Sequence, residues 1–353
     1  MTNIKTAARV IYLDRADVKW RLIRQVDIAY MGWLRRGNLG DEAMYEAFLV
    51  ERPEATVLRA PLTSFGRGLA SRSRASVLVV GGGTLLGRPE WNVRIREAIR
   101  ILKPHSLVTI GTGVVRPGSE ITSVEAKEAL TDTAAILRDF DLVGVRGPRS
   151  QETLGDYGTE SRVVGDLALL SGANSSAQVG GVSRRILVNL AESGGRGTPV
   201  DALKISTLRR ALRVFEAEGY EIVFFCMEKR DEIHANKHFG HNYRVVRYGP
   251  SVESMFELVR SSSLVVSERL HGTILAAAFG VPFLALAYMD KVYDFLSSIG
   301  SENSALQERD FLGVEFLVAR FQAAIGDQNA REEVRRVVED RVLDLRQLIA
   351  DQT

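Results

Sequence analysis

An arginine and a histidine lie where a short apolar run gives way to a helical pattern in the second half of the chain. Residues 267–272 read Ser-Glu-Arg-Leu-His-Gly, which places Arg269 and His271 at a helix N-terminus. Backbone amides and the helix dipole favour an anion there, and a guanidinium adds directed donors. Gly272 would let a ligand approach the backbone. The segment predicts a phosphate or carboxylate site. The alternative is that Arg269 pairs with Glu268 or with a carboxylate of the N-terminal half, while His271 caps the helix.

A second turn, in the first half of the chain, carries polar residues at the start of a helix. Residues 37–44 read Gly-Asn-Leu-Gly-Asp-Glu-Ala-Met, between a predicted strand at 26–33 and a predicted helix at 41–50. Asn38 can occupy a left-handed position and Asp41 is a good N-cap, so helix-start chemistry alone explains the turn. Because ligands of parallel sheets bind at the carboxyl ends of strands, both residues are also candidates for contacting a hydroxylated substrate.

Two glycine-rich turns, at 81–84 and 111–113, end neighbouring predicted strands. Neither completes G-x-G-x-x-G, because a leucine and an arginine stand where the third glycine would be, so a dinucleotide site is not supported. Such turns still favour close approach by a ligand or by an opposing domain, which makes Gly82 and Gly83 candidate cleft residues.

Arg146 follows a predicted strand at 142–145, and Ser150 is a candidate cap of the next helix. This position directs Arg146 towards the same cleft from the N-terminal side. An arginine that satisfies a helix end or a surface carboxylate explains the pattern equally well.

His234 and His238 lie one helical turn apart, a spacing at which two histidines could bind the same metal ion. The sequence has no H-E-x-x-H, and Cys226 falls inside a predicted buried strand, so zinc would lack further ligands. We expect a solvated helix end and no metal.

The composition describes a globular protein of two domains. The chain has 353 residues, of which 45% are hydrophobic and 25% charged. Lys and Arg number 46 against 44 Asp and Glu, without a basic run, so no nucleic-acid partner is indicated.

One cysteine excludes disulfides within the chain. No secretory signal is evident, and Gly280-Val281-Pro282 interrupts the longest apolar segment, so we expect a cytoplasmic protein without a spanning helix.

Short apolar runs alternate with helical patterns, which indicates parallel α/β folding. The predicted strands lie at 26–33, 76–80, 107–110, 142–145, 185–190, 221–227, 243–248, 264–267 and 282–287, and the helices lie between them. The fold class predicted is α/β, with two Rossmann-like doubly wound domains facing across a cleft, as in the GT-B architecture. The expected boundaries are an N-terminal domain at 1–172, a linker at 173–181, a C-terminal domain at 182–328 and a final helix at 329–353 that packs back on the domains.

Taken together, these segments resemble the polysaccharide pyruvyl transferase family over residues 26–300. The resemblance is carried by R-x-H-G at 269–272 with G-x-P at 280–282 and Y-x-x-K at 288–291, then by G-N-x-G-D at 37–41. It implies a GT-B-like enzyme that moves pyruvate from phosphoenolpyruvate onto two hydroxyls of one sugar as a ketal. The N-terminal domain would be the acceptor side and the C-terminal domain the donor side.

The resemblance assigns donor binding to the segment from Arg269 through Leu270 and His271 to Gly272, with Arg146 as a second basic contact and Lys291 as the family's lysine. Asp166 resembles the family's D-P-A aspartate, although Leu167 replaces the proline. His271 is the expected general acid, since imidazole titrates near neutral pH. Asp41 or Glu268 is the expected base, and the scheme requires no cofactor beyond phosphoenolpyruvate as co-substrate.

The expected partners are phosphoenolpyruvate and a glycan or lipid-linked sugar acceptor, with peripheral contact at the inner face of the membrane. The rivals are a GT-B glycosyltransferase that uses a nucleotide sugar and a non-catalytic sugar-binding scaffold of envelope assembly. The choice of donor distinguishes the first rival, and turnover distinguishes the second.

Overall fold

The fold is described from a computed structural model. It covers residues 19–118, 122–173, 183–191, 202–240, 243–247, 249, 251–286 and 289–353. These residues divide into two compact units. Unit N draws its described residues from Met1–Arg35, Phe48–Val164 and Leu345–Thr353. Unit C draws them from Arg36–Ala47 and Gly165–Asp344.

Unit N is built on a seven-stranded sheet in the order β2-β1-β3-β5-β6-β7, with β4 paired to β5. The pairs are parallel, in registers such as Ile28 opposite Val77 and Val79 opposite Val108. The strands are β1 Gln25–Met31, β2 Val57–Arg59, β3 Arg74–Gly81, β4 Thr84–Leu86, β5 Ser106–Val114, β6 Leu142–Val145 and β7 Arg162–Val163. The central strands are nearly continuous apolar runs, as expected for a parallel sheet covered by helices on both faces.

The helices of this half of the chain are α1 Lys19–Leu22, α2 Leu39–Glu51, α3 Ser64–Ala70, α4 Pro89–Leu102, α5 Ser123–Leu137 and α6 Pro148–Gly155. Helix α2 begins in unit C and ends in unit N. The core of unit N places Leu78 and Val80 of β3 against Trp91 and Ile95 of α4. Burial of these side chains holds the sheet and its helices together.

Unit C contains a five-stranded parallel sheet in the order β10-β9-β8-β11-β12. Its strands are β8 Arg185–Asn189, β9 Glu221–Cys226, β10 Arg244–Arg247, β11 Leu264–Ser267 and β12 Phe283–Ala285. Its helices are α7 Leu170–Ala173, α8 Ala202–Ala217, α9 Lys229–Phe239, α10 Glu253–Arg260, α11 Leu270–Ala278, α12 Asp290–Ser298 and α13 Val314–Gly326, followed by α14 Gln328–Gln352, which continues into unit N. Because β9 and β11 both flank β8, the carboxyl ends of these three strands are neighbours.

The predicted fold class is confirmed: both units are parallel α/β. Every predicted strand corresponds to an observed one, and the apolar segment near 273–289 contains helix α11 and strand β12, as expected. In the described ranges, no helix is both long and apolar enough to cross a membrane. The unit boundary differs from the predicted one, since unit C begins at Gly165 and includes residues 36–47. Of the predicted linker, Ala173 ends α7 and residues 174–181 lie outside the described residues.

Candidate functional site

The carboxyl ends of β8, β9 and β11 present a cluster of polar and charged residues in unit C. Asn189 is the last residue of β8, Glu228 and Asp231 open the helix after β9, and Glu268 and Arg269 follow β11. This is the edge of a parallel sheet at which ligands bind. We call it the carboxyl edge of unit C.

Arg269 is held by two carboxylates. Its Nε lies 2.8 Å from both oxygens of Asp231, and its Nη2 lies 2.6 Å from Asp231 Oδ1 and 3.0 Å from Glu228 Oε2. Asp231 is 1% exposed, whereas 18% of the Arg269 side chain remains exposed. The guanidinium therefore has a fixed orientation and still meets solvent. The sequence analysis named Glu268 or a carboxylate of the N-terminal half as the alternative partner, whereas these two carboxylates lie at the start of the helix after β9.

His271 lies in the first turn of α11, two residues after the N-cap residue Arg269. The backbone N–H of Arg269 donates to Asn189 Oδ1 at 3.0 Å, which fixes the start of the helix on β8. The His271 ring packs against Gly40, where an added Cβ would stand 2.0 Å from the ring atoms Cγ and Nδ1. Gly40 is therefore required for the imidazole to occupy this position.

Two other members of the predicted donor segment are buried. Leu270 is 4% exposed, so its side chain belongs to the core. A Cβ on Gly272 would stand 2.2 Å from Ser267 Oγ and 3.0 Å from the Phe225 ring. The glycine thus permits close packing of α11 on the sheet, which is a different reason from the ligand approach that the sequence suggested.

Asn38 caps helix α2 and joins it to the carboxyl edge of unit C. Its Oδ1 accepts from the N–H of Gly40 at 2.9 Å and of Asp41 at 3.4 Å, and its Nδ2 donates to Glu228 Oε1 at 2.8 Å. The sequence had predicted Asp41 as the cap and a left-handed Asn38. The cap is Asn38, because the helix begins at Leu39, and the left-handed residue before it is Gly37, with φ of 74°.

Asp41 is a buried carboxyl beside a lysine. Its exposure is 6%, and burial raises its pKa to about 8. The positive charge of Lys291 opposes this rise, while the negative charges of Glu228, Glu42 and Asp166 add to it. Asp41 is therefore protonated over much of the neutral range and can donate or accept a proton there.

Asp166 and Lys291 have separate positions in unit C. Asp166 is fully buried and caps the short 3-10 helix Leu167–Leu169, where its carboxylate accepts from the Ala168 N–H at 2.9 Å. Lys291 lies in the first turn of α12. Both charges act on the pKa of Asp41: that of Lys291 lowers it and that of Asp166 raises it. Three predicted site residues therefore interact electrostatically.

Glu268 is a second buried carboxyl with a raised pKa. Burial raises its pKa to about 7, the Ala191 N–H and Arg269 oppose the rise, and Asp231 adds to it. Its Oε2 accepts from the Ala191 N–H at 2.8 Å. Its Oε1 is buried and accepts no hydrogen bond from any residue that the structure describes. Such a carboxyl is suited to proton transfer near pH 7.

Arg146, Gly82 and Gly83 belong to unit N. Arg146 is completely buried, its Nη2 donates to the Gly83 carbonyl at 2.6 Å, and its Nη1 lies 3.4 Å from Thr84 Oγ1. Gly82 and Gly83 both have positive φ, of 68° and 63°. The turn after β3 therefore holds the guanidinium of Arg146 through its backbone, so neither a helix end nor a surface carboxylate accounts for these contacts.

The two histidines considered for metal binding pack against one another edge to face. The rings of His234 and His238 lie 4.5 Å apart between centroids, and burial lowers the pKa of His238, as do Lys237 and Arg209. Among the described residues, no group of three or more His, Cys, Asp or Glu side chains is arranged to hold a metal ion.

The sequence matches the family model for polysaccharide pyruvyl transferase over residues 10–290. The chain belongs to this family. The match includes the turn at 37–41 and the segment at 267–272, whose residues meet at Gly40 and His271. No curated protein sequence matches this pyruvyl transferase family member.

Solved structures of other proteins share its fold. A candidate UDP-N-acetylglucosamine 2-epimerase from Listeria monocytogenes has a TM-score of 0.59 at 13% identity, covering 93% of this chain and 98% of its own. The UDP-GlcNAc 2-epimerase from Methanocaldococcus jannaschii has a TM-score of 0.54 at 13% identity, with coverage of 90% and 99%. The glycotransferase of kitacinnamycin has the same TM-score and identity, with coverage of 94% and 99%. At this identity the likeness is one of fold.

Sequence reasoning missed three residues that organise the site of this pyruvyl transferase family member. They are Asn189, Glu228 and Asp231, and none of them belongs to a recognised motif. A usable signal was present, because each lies at or just beyond the carboxyl end of a predicted strand. Arg269 and His271 were found because their motif coincides with a helix start.

Proposed function

We propose that the chain transfers pyruvate from phosphoenolpyruvate to two hydroxyls of one sugar, with the donor bound at the carboxyl edge of unit C. Membership of the polysaccharide pyruvyl transferase family supports the reaction class. The observation that carries the proposal is the position of His271, in the first turn of α11 beside the oriented Arg269 and with its ring against Gly40. A helix start with an adjacent guanidinium attracts phosphate and carboxylate groups.

The reaction needs a proton at the methylene carbon of the enol phosphate. In the proposal, His271 donates this proton, and C2 then accepts one sugar hydroxyl. Phosphate leaves C2, and the second hydroxyl of the sugar closes the ketal. One hydroxyl proton passes to the base and from there restores the proton that His271 gave up, and the other leaves on the phosphate. Arg269 and Lys291 offset the negative charge of the donor.

A proton acceptor for the sugar hydroxyl is the second requirement. Asp41 and Glu268 both have raised pKa values, of about 8 and about 7, so the deprotonated form of either is a stronger base than an exposed carboxylate. Asp41 adjoins Gly40, against which His271 packs, whereas Glu268 adjoins Arg269. We assign the base to this pair of residues.

The proposed acceptor is a glycan or a lipid-linked sugar, as the family description implies a polysaccharide product. A lipid-linked acceptor would bring the protein to the cytoplasmic face of the membrane.

Donor choice is the experiment that tests the proposal. Thermal denaturation is measured with phosphoenolpyruvate, with a panel of nucleotide sugars and with inorganic phosphate as the control anion. A ligand at 100 times its Kd adds about 2.7 kcal/mol to stability. We expect phosphoenolpyruvate to raise the Tm, and Arg269→Lys to reduce that rise. A rise with a nucleotide sugar and none with phosphoenolpyruvate assigns the chain to glycosyl transfer instead.

Turnover separates an enzyme from a sugar-binding scaffold. We expect phosphate release from phosphoenolpyruvate that depends on a hydroxylated acceptor, and a product whose mass shows a pyruvate ketal. Binding of phosphoenolpyruvate without phosphate release on any of a range of glycan acceptors would favour the scaffold.

A further inference from the structure

We propose that Asn38 and Glu228 are positioning residues that together set the place of the His271 imidazole. The inference rests on the proposed function for its kinetic consequence, while its structural content can be tested without activity. Their contact, from Asn38 Nδ2 to Glu228 Oε1 at 2.8 Å, joins residues that are 190 positions apart in the chain. We call this contact the 38–228 link.

Both polar atoms of the Asn38 side chain are used, and each is used for a different purpose. Oδ1 accepts from the first backbone amides of α2, so the side-chain NH2 must point the other way, towards Glu228. Only an acceptor can receive it there, and the Glu228 carboxylate provides one. The amide orientation is therefore fixed by two independent partners.

Glu228 divides its two oxygens between two elements. Oε1 accepts from Asn38, and Oε2 accepts from Nη2 of Arg269 at 3.0 Å. The residue also precedes helix α9 and forms a capping box with Asp231, which anchors its backbone. One carboxylate thus contacts both Asn38, which precedes α2, and Arg269, which precedes α11.

The His271 ring lies between these two elements. Its backbone belongs to α11, whose N-cap is Arg269, and its imidazole packs against Gly40 in the first turn of α2. The backbone N–H of Leu39 also donates to the Met227 carbonyl, at 3.0 Å, which brings α2 to the same edge. A change at the link would therefore move the surface on which the ring rests. Misplacing a reacting group by about 1 Å can cost about 100-fold in rate.

Helix capping alone gives a competing explanation of Asn38, and the two explanations differ in what they allow. Aspartate and asparagine cap helices equally well, so a residue that only capped α2 could be replaced by aspartate without loss. A residue that must donate to Glu228 could not, because aspartate would place one carboxylate against another. Changing Glu228 to glutamine in the same protein would restore the contact, with glutamine as donor and aspartate as acceptor.

The experiment compares Asn38→Asp, Glu228→Gln and the double variant. The double variant has the same net charge as the wild type, because it moves one negative charge across one hydrogen bond. We expect Asn38→Asp to lower kcat about 10- to 100-fold with a smaller change in KM for phosphoenolpyruvate. We expect the double variant to recover most of that loss. The matched control is Glu232→Gln in helix α9. This variant also removes a carboxylate, but that carboxylate pairs with the exposed Arg247.

A second readout is independent of activity. In protein containing isotope-labelled histidine, the NMR signal of His271 is assigned as the one missing from His271→Gln. It should shift in Asn38→Asp and return towards its original position in the double variant. The proposal is overturned if Asn38→Asp leaves this signal unmoved, or if the double variant differs from wild type as much as Asn38→Asp does. Absence of pyruvyl transfer in the wild type would overturn the proposed function, and the signal would still decide the link.

Discussion

Two side chains near the carboxyl edge of unit C have a part in the proposed proton transfers, and they differ in how the fold holds them. His271 stands in a helix start, with its ring resting on a glycine. Asp41 is buried close to Lys291, and its pKa is raised to about 8. The first can be tested by kinetics and the second by stability.

His271→Gln tests the proton donor. Glutamine keeps approximate size and a hydrogen-bond donor but cannot deliver a proton at neutral pH. Loss of a general acid lowers the rate by about 10²- to 10⁴-fold, so kcat should fall by that amount while the affinity for phosphoenolpyruvate changes little. Steady-state phosphate release and calorimetric binding measure the two quantities. Near-normal kcat with a raised KM would mean that His271 only binds the anion.

Asp41→Asn tests the buried carboxyl through the pH dependence of stability. The folded-state pKa of about 8 lies above the ordinary value of 3.8, so the folded protein binds the proton more tightly than the unfolded chain. The contribution of Asp41 to stability is therefore greatest below about pH 4 and is lost as the pH rises towards about 8. The slope between those limits is at most about 1.4 kcal/mol per pH unit.

Urea denaturation of the wild type and of Asp41→Asn across this pH range measures the effect. The asparagine variant should become more stable relative to the wild type as the pH rises. Asp340→Asn, at an exposed position on α14 in the same unit, is the control substitution. A difference between wild type and Asp41→Asn that does not change with pH would contradict the raised pKa.

At the scale of helices and strands, the contact between α2 and α11 requires glycine at position 40, because any side chain there would clash with the His271 ring. We expect Gly40→Ala to lower kcat at least tenfold, since its Cβ would stand 2.0 Å from two atoms of the His271 ring and displace it. Gly68→Ala in α3 is the matched control, because its Cβ would meet nothing within 4 Å. Alanine there should leave activity unchanged and stability equal or slightly higher. Equal kcat in the two variants would show that the ring does not depend on Gly40.

The long elements were predictable from the sequence, and the short ones were not. Strand β3 is an eight-residue, mostly apolar run, and its pattern identifies it. Strands β2, β4 and β7 have three, three and two residues, too few to display any periodicity. They exist because a neighbouring strand offers them backbone partners, and that information is not local to their sequence.

The same distinction holds within the site. Arg269 and His271 were recognised because their motif lies at a strand-to-helix junction, a local feature. The partners of Arg269 could not be named, because Asp231 and Glu228 are about forty residues away in the chain and acquire their role only when β9 and β11 flank β8. The contact of Asn38 with Glu228 depends on an even longer separation.

At the scale of the whole molecule, helix α14 contributes residues to both units. Leu345 in its last part is fully buried, while Leu343, two positions earlier, is 62% exposed. Truncating a buried leucine costs about 2–5 kcal/mol, so Leu345→Ala should lower the free energy of unfolding by that amount. Leu343→Ala should cost much less, as expected for a surface position. Urea denaturation followed by circular dichroism compares them, and equal costs would show that this end of the helix does not pack.

Residues 36–47 come from the first half of the chain but belong to unit C. The two halves of this polypeptide therefore cannot be exchanged independently. A gene fragment that starts after residue 182 encodes every strand of the β8–β12 sheet, yet it leaves Glu228 without Asn38 and His271 without Gly40. Recombination between two relatives near the middle of the gene would combine residues 36–47 of one protein with the carboxyl edge of unit C of the other. Residues 36–47 must therefore be kept together with the second half of the chain in any such exchange.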